Sequence, residues 1–314
     1  MSTIDFESAI SDFLALQSPP FHTILEQLMK PNLARFTLVV LTMLLGWVCA
    51  APRGGTAPTS LQNARLEEAR TQRLAIPAYF YPTKDHQVYW EQLRDASKHI
   101  GFIVATGLML ETDMPDPNYQ EEIRKTRAAG VRVLAYVSCI KQPEGAVPQE
   151  EVKRQIDHAY AWYKVDGIFF DMEKLPYPVP CDKRVDYYKA LSRYAKTKDR
   201  KAITVINHGQ ILPECYASAA DILLNAEMDY AGYKQWKPAG WEARYPARKF
   251  WHVVHEVDTI EQMQEVAALS KARNAGYVFV TSGKDMDKDG GAYGSLPPDP
   301  FWSALLKAVS GVPH

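Results

Sequence analysis

Basic charge is not in surplus in this sequence: 36 Lys and Arg stand against 37 Asp and Glu, a net charge of -1 over 314 residues. A nucleic-acid-binding surface needs clustered Lys and Arg to displace counterions from phosphates, and no basic block interleaved with aromatics occurs. Nucleic acid is therefore excluded as a partner. Cysteine is scarce, with four residues whose spacing suits no zinc site. Long apolar runs are missing too. The longest uncharged one, residues 36–51 (FTLVVLTMLLGWVCAA), is short against the ~20 residues that span a bilayer. What is present, 46% hydrophobic and 23% charged residues, is an ordinary globular composition.

The 36–51 run follows Lys30 and Arg35 and ends on small residues at Ala50 and Ala51, the pattern of a signal-peptide core. The stretch before it is long for a signal-peptide n-region. A start at Met29 gives a compact basic-apolar-small pattern; the alternative is a membrane anchor with a short cytoplasmic tail. Either route exports the remainder, as a periplasmic or secreted protein or one anchored with its domain outside the cytoplasm. Gly46-Trp47-Val48 puts the wrong bulk before Cys49 for a lipoprotein box. Cys139, Cys181 and Cys215 remain after removal of the segment. In an oxidising compartment one pair can bridge, and Cys181 with Cys215, both in loops expected on one rim, is the preferred pair. Three free thiols is the alternative.

The chain divides into an N-terminal extension (1–51), a Pro/Gly/Thr/Ser-containing linker (52–72) and a domain (73–314). In the domain, short apolar runs at 74–81, 101–105, 131–138, 167–171, 202–207, 222–226, 249–255 and 276–281 alternate with amphipathic stretches. Such Val/Ile/Phe runs separated by helices are what buried parallel strands require. Eight units predict a closed (β/α)₈ TIM barrel rather than an open sheet.

Active sites of such barrels form where the strands end. At the fourth strand, Gly167-Ile168-Phe169-Phe170 is followed by Asp171-Met172-Glu173. Alternation along a strand predicts that Asp171 and Glu173 share the face turned into the barrel mouth. At the sixth, Ile222 to Ala226 is followed by Glu227. Glycoside hydrolysis uses two such carboxyl groups, one to protonate the leaving oxygen and one to attack or stabilise the oxocarbenium-like centre. Tyr230, Tyr233, Trp236 and Trp241 follow Glu227, and aromatic faces suit sugar rings, although packing explains any one of them equally well. Asn207 and His208 end the fifth strand, where they would bind a sugar hydroxyl or orient a carboxylate, or equally serve loop structure alone. Tyr79 and Tyr81 at the first strand are candidates to line the groove, with core packing as the favoured alternative. No metal is expected. His252 and His255 are an odd number apart on a strand and face opposite sides. The calcium-like start at Asp285 has Leu296 where the bidentate Glu belongs.

From about residue 74 onwards the chain resembles the spherulin-4-like family, which includes fungal glycoside hydrolases acting on galactosaminogalactan. The features that carry the resemblance are Ile76-Pro77-Ala78-Tyr79-Phe80-Tyr81-Pro82, the strand from Gly167 to Asp171, and Asn207-His208-Gly209. Glu227 with Tyr230 and Tyr233 matches too, as does Tyr293-Gly294-Ser295-Leu296-Pro297 before Phe301-Trp302. The resemblance implies a (β/α)₈ fold and endo-acting hydrolysis of an α-linked polymer containing N-acetylgalactosamine. It implies Asp171 and Glu227 as acids, with no cofactor. One departure is that the family has Asp-Glu adjacent, whereas Met172 here precedes Glu173. The same strand also resembles the chitinase signature Asp-Gly-x-Asp-x-Asp-x-Glu, which implies a substrate-assisted mechanism with Glu173 as acid. A non-catalytic carbohydrate-binding barrel is the rival class.

Overall fold

Eight parallel strands close into one barrel in sequence order: β1 (Arg73–Ala78), β2 (Ile100–Ala105), β3 (Val133–Ser138), β4 (Gly167–Asp171), β5 (Ile203–Asn207), β6 (Ile222–Asp229), β7 (Phe250–His255) and β8 (Tyr277–Val280). β1 pairs with both β2 and β8, which leaves no free edge. The structure is a computed structural model of the chain, and it describes residues 71–141, 145–173, 175–209, 211–284 and 291–310. The expected targeting segment 36–51, the linker up to residue 70, and the calcium-like loop 285–290 lie outside the described residues. The end of the expected linker belongs to the domain. Gln72 is buried, and its amide donates to Ser270 Oγ and to the Ala275 carbonyl, both at 2.9 Å.

Helices follow most strands: α1 (Gln87–Asp95), α2 (Pro117–Ala128), α3 (Gln149–His158), α4 (Lys183–Lys198), α5 (Tyr230–Gln235), α6 (Ile260–Ala272) and α7 (Phe301–Val309). The crossover from β5 to β6 has only a short 3₁₀ turn, Glu214–Ser218. Local sequence explains the starts. Asp116 caps α2 by accepting from the Asn118 and Tyr119 amides, with Pro117 in the first turn, where its missing N–H costs nothing. Thr259 and Gln262 form a reciprocal capping box at α6. The buried side of α6 is Met263, Val266, Ala267 and Ser270, one stripe at helical spacing against the barrel.

The barrel interior is filled by aromatic rings. Phe102 and Phe169 meet Trp251 edge-on, with centroids 5.2 and 5.9 Å apart. All three are essentially inaccessible to water. Burial of each such ring contributes roughly 2–3 kcal/mol. Tyr136 stacks on Phe169 at 5.7 Å, so this layer forms the floor on which the polar rim rests. Gly167 permits the tight packing of β4: a Cβ there would lie 2.0 Å from the Ile203 carbonyl oxygen on β5. That close approach sets the register in which Asp171 pairs with Asn207.

β6 departs from regular pairing. Leu224 is opposite Trp251 and Ala226 is opposite His252, so Asn225 is an extra residue bulged from the ladder. Leu224 shares the inward face of Trp251. Strict alternation would turn Glu227, three residues on, outward. The bulge restores it to the inner face, opposite Val253. The strand also continues to Asp229, beyond the expected 222–226, so Glu227 projects from a strand rather than from a loop.

Candidate active site

Asp171 ends β4 between Ser138 of β3 and Asn207 of β5. Its Oδ2 accepts a hydrogen bond from the Tyr136 hydroxyl at 2.6 Å. Glu227 is held at both oxygens: Oε2 accepts from Asn207 Nδ2 at 2.9 Å, and Oε1 accepts from the Tyr293 hydroxyl at 2.7 Å. Tyr79 stands between the two tyrosines, edge-on to Tyr136 at 5.9 Å and to Tyr293 at 5.6 Å. Two carboxyl groups thus share a mouth walled by three tyrosines and floored by Phe169.

The electrostatics follow from burial. Burial pushes the Asp171 carboxyl up to about 6; the Tyr136 hydrogen bond opposes this, and the negative charge of Glu227 adds to it. The Tyr79 hydroxyl is driven well above its ordinary range, by burial first and then by Glu227, Tyr136 and Asp171. Tyr136 and Tyr293 are raised likewise, burial being the larger cause. All three are therefore neutral hydroxyls across the physiological range.

Glu173 is elsewhere. β4 ends at Asp171, so alternation does not carry on to Glu173, and the two acids do not share a face as the sequence predicts. The Glu173 side chain is buried. Its Oε1 accepts from Arg184 Nε at 3.0 Å, and its Oε2 accepts from the Tyr188 hydroxyl, both on α4. It ties the β4 loop to that helix. Met172, where the family acid is expected, is also buried. His208 Nε2 accepts from the Leu175 amide at 3.0 Å and steadies the same loop, while its Nδ1 has no partner among the described residues. Burial lowers its proton affinity, against the charge of Glu173.

Three expected sugar contacts lie outside the barrel, in the helix layer. Tyr233 is buried, with its hydroxyl 2.8 Å from His252 Nδ1 and the Arg273 guanidinium 4.6 Å above its ring. Trp236 packs on the same imidazole and guanidinium. Tyr230 is hydrogen-bonded to Glu265 of α6. The cause is the turn after β6: Asp229 caps α5, and the helix carries these rings down the outside of the sheet. His252 is a neutral packing residue, taken to about 3 by burial and then by Arg273. Tyr81 remains on the rim, away from the acids, hydrogen-bonded to Asp116 and Asn118. Sequence reasoning missed Tyr293, which marked only the family resemblance, and Tyr136. The one signal for Tyr136 is a phenol inside the otherwise apolar β3 run, two residues before the strand end.

The loops above the site are stapled. Cys181, before α4, is bonded to Cys215 in the 3₁₀ turn after β5, with Cα atoms 6.0 Å apart, the pair preferred from sequence. Cys139 is free and buried.

Fold and site together define a (β/α)₈ barrel with two carboxyl groups and three tyrosines at the carboxyl ends of its strands. Residues 73–309 match the model of spherulation-specific family 4, and the chain belongs to that family. No curated protein matches the chain by sequence. Among solved structures, Sph3 of Aspergillus clavatus, in complex with GalNAc, is similar with a TM-score of 0.61 and 23% identity, covering 77% of this chain and 98% of that one. A family 39 glycoside hydrolase from Bacteroides cellulosilyticus is similar at a TM-score of 0.50 and 12% identity, over 78% of this chain and 64% of that one. These likenesses are of fold.

Proposed function

We propose that the protein is a glycoside hydrolase that cleaves within an amino-sugar polysaccharide containing N-acetylgalactosamine or galactosamine, through Asp171 and Glu227. The observation that carries this reading is the pairing of the two carboxyl groups in one tyrosine-walled mouth. Membership of spherulation-specific family 4 and the likeness to a barrel bound to GalNAc support the substrate class.

Burial favours Asp171 as the proton carrier. With its carboxyl raised to about 6, it holds a proton under mildly acidic conditions. The proton passes from Asp171 to the glycosidic oxygen as the bond from that oxygen to the anomeric carbon breaks. The electron pair leaves with the departing sugar. Glu227, fixed by Asn207 and Tyr293, faces the positive charge that develops at the anomeric carbon, and a water adds there as one of its protons returns to Asp171. Glu173, committed to Arg184, has no part in proton transfer. The Cys181–Cys215 bridge supports the view that the protein works outside the cytoplasm.

The test is reducing-end release from galactosamine-, N-acetylgalactosamine- and N-acetylglucosamine-containing polymers by the protein and its Asp171→Asn, Glu227→Gln and Glu173→Gln variants. Turnover abolished by the first two and retained by the third is the expected result. Binding without turnover on every polymer would instead establish a carbohydrate-binding barrel.

A further inference from the structure

A groove on the rim, beside the first two strands, is left unused by the mechanism. It has a volume of about 390 Å³ and lies between Tyr81, beyond the end of β1, and the loop from β2 to α2. Both walls stand at the carboxyl ends of their strands, the end of the barrel that bears Asp171 and Glu227.

The groove is rigid. The Tyr81 hydroxyl donates to Asp116 Oδ2 and accepts from Asn118 Nδ2, both at 2.7 Å, and its ring packs edge-on to Tyr119 at 5.3 Å. The opposite wall is pinned too. Thr112 Oγ1 donates to the Met109 and Met114 carbonyls, while Tyr163 accepts from the Asp116 amide and donates to the Leu108 carbonyl. Met109 is held at φ +51°, a left-handed conformation that costs an unbranched residue energy and that its surroundings must impose.

That rigidity presents apolar surface to water. Tyr81 is 37% exposed, Met109 49% and Met114 73%. A fixed phenol ring flanked by thioethers is a platform for a flat apolar face, at low cost in conformational entropy. The charge on the groove has one sign: Asp113 and Asp116 line it, with no Lys or Arg. Asp116 is already occupied by Tyr81 and by the first amides of α2, whereas Asp113 is exposed to solvent.

We propose that this groove is an outer saccharide subsite for a hexosamine unit bearing a free, protonated amine. The inference rests on the glycan reading given above, for a unit of the same polymer some distance along the chain from the bond cut. The apolar face of the sugar lies on the Tyr81 ring beside Met109 and Met114, and the ammonium group faces Asp113. A fully N-acetylated unit can use the ring but brings no positive charge to the carboxylate. The subsite therefore selects for charge.

The experiment reads binding, in an Asp171→Asn background that does not turn over. It compares a galactosamine hexasaccharide with its fully N-acetylated counterpart by calorimetric titration. Asp113→Asn, a solvent-exposed change that threatens no packing, is expected to weaken the free-amine oligosaccharide about threefold to fivefold at low salt, with the acetylated one unchanged. Tyr81→Ala is expected to weaken both about tenfold. Equal affinities with and without Asp113, or a loss shared equally by the two ligands, would overturn the proposal. The readout does not depend on hydrolysis, so an inactive protein that bound with this pattern would sink the catalytic reading alone.

Discussion

The hydroxyl of Tyr136 donates to Asp171 Oδ2 at 2.6 Å from the neighbouring strand, and it opposes the effect of burial on that carboxyl. Proton affinity at the site is thus raised by burial and restrained by a side chain that need not touch the scissile bond.

Tyr136→Phe should release that restraint. The Asp171 carboxyl then moves further up, by on the order of one pH unit for a lost hydrogen bond to a charged group. If Asp171 must be protonated to act, kcat/KM falls as pH rises past about 6 in the parent protein. In the variant the falling limb shifts to higher pH. A pH–rate profile with its limb unmoved would count against Asp171 as proton carrier.

Asp171 also has a stability signature opposite to that of most carboxylates. Its folded value, about 6, lies above the ordinary aspartate range, so the folded state binds this proton more tightly than the unfolded chain. The contribution to stability is complete below about pH 4 and is lost as pH rises through about 6. Asp171→Asn removes the loss and should stabilise the protein at pH 8 by up to about 3 kcal/mol, with little change at pH 4. Urea denaturation at the two pH values is the measurement.

Tyr293→Phe and Asn207→Ala each delete one of the two donors on Glu227. Each should lower kcat by roughly 10- to 100-fold, with a smaller effect on KM, because the lost bond serves developing charge rather than substrate binding. Steady-state kinetics on one polymer separates the two parameters. A rise in KM alone would reassign these residues to sugar contact.

Glu173→Gln should cost stability and spare catalysis. Its carboxylate loses a charged partnership with Arg184, which is partly exposed and keeps Asp182, so the cost is about 1–2 kcal/mol. Thermal melts should show the loss, while the folded fraction keeps its turnover. Loss of activity at unchanged stability would instead revive the chitinase-like mechanism.

Reduction of the Cys181–Cys215 bridge opens a loop with a sequence separation of 34. The chain-entropy estimate for such a loop is about 4 kcal/mol, an upper figure because native strain and residual unfolded structure reduce it. A melting curve with and without reductant tests it.

The barrel was legible because buried parallel strands need uninterrupted apolar runs, and the eight that mark this chain became the eight strands. Asp171 and Glu227 could be located by the rule that chemistry sits where strands end. What sequence could not supply was direction. Glu173 looked like a rim acid because alternation was extended past a strand that stops at Asp171. Tyr230, Tyr233 and Trp236 looked like a sugar platform because they follow Glu227 in sequence. A helix begins at Tyr230 and takes them to the outside. Tyr136 was passed over because its partner is 35 residues away and only strand pairing brings them together.

The extra residue at Asn225 makes the position of Glu227 a matter of counting. Pairing it into the ladder would leave every acid, tyrosine and strand run in the sequence, yet it would turn Glu227 out toward the helices and Ala226 in toward the barrel mouth. A chain with all the right letters could therefore keep the barrel and lose the site, and the pairing of β6 carries information that residue identity does not.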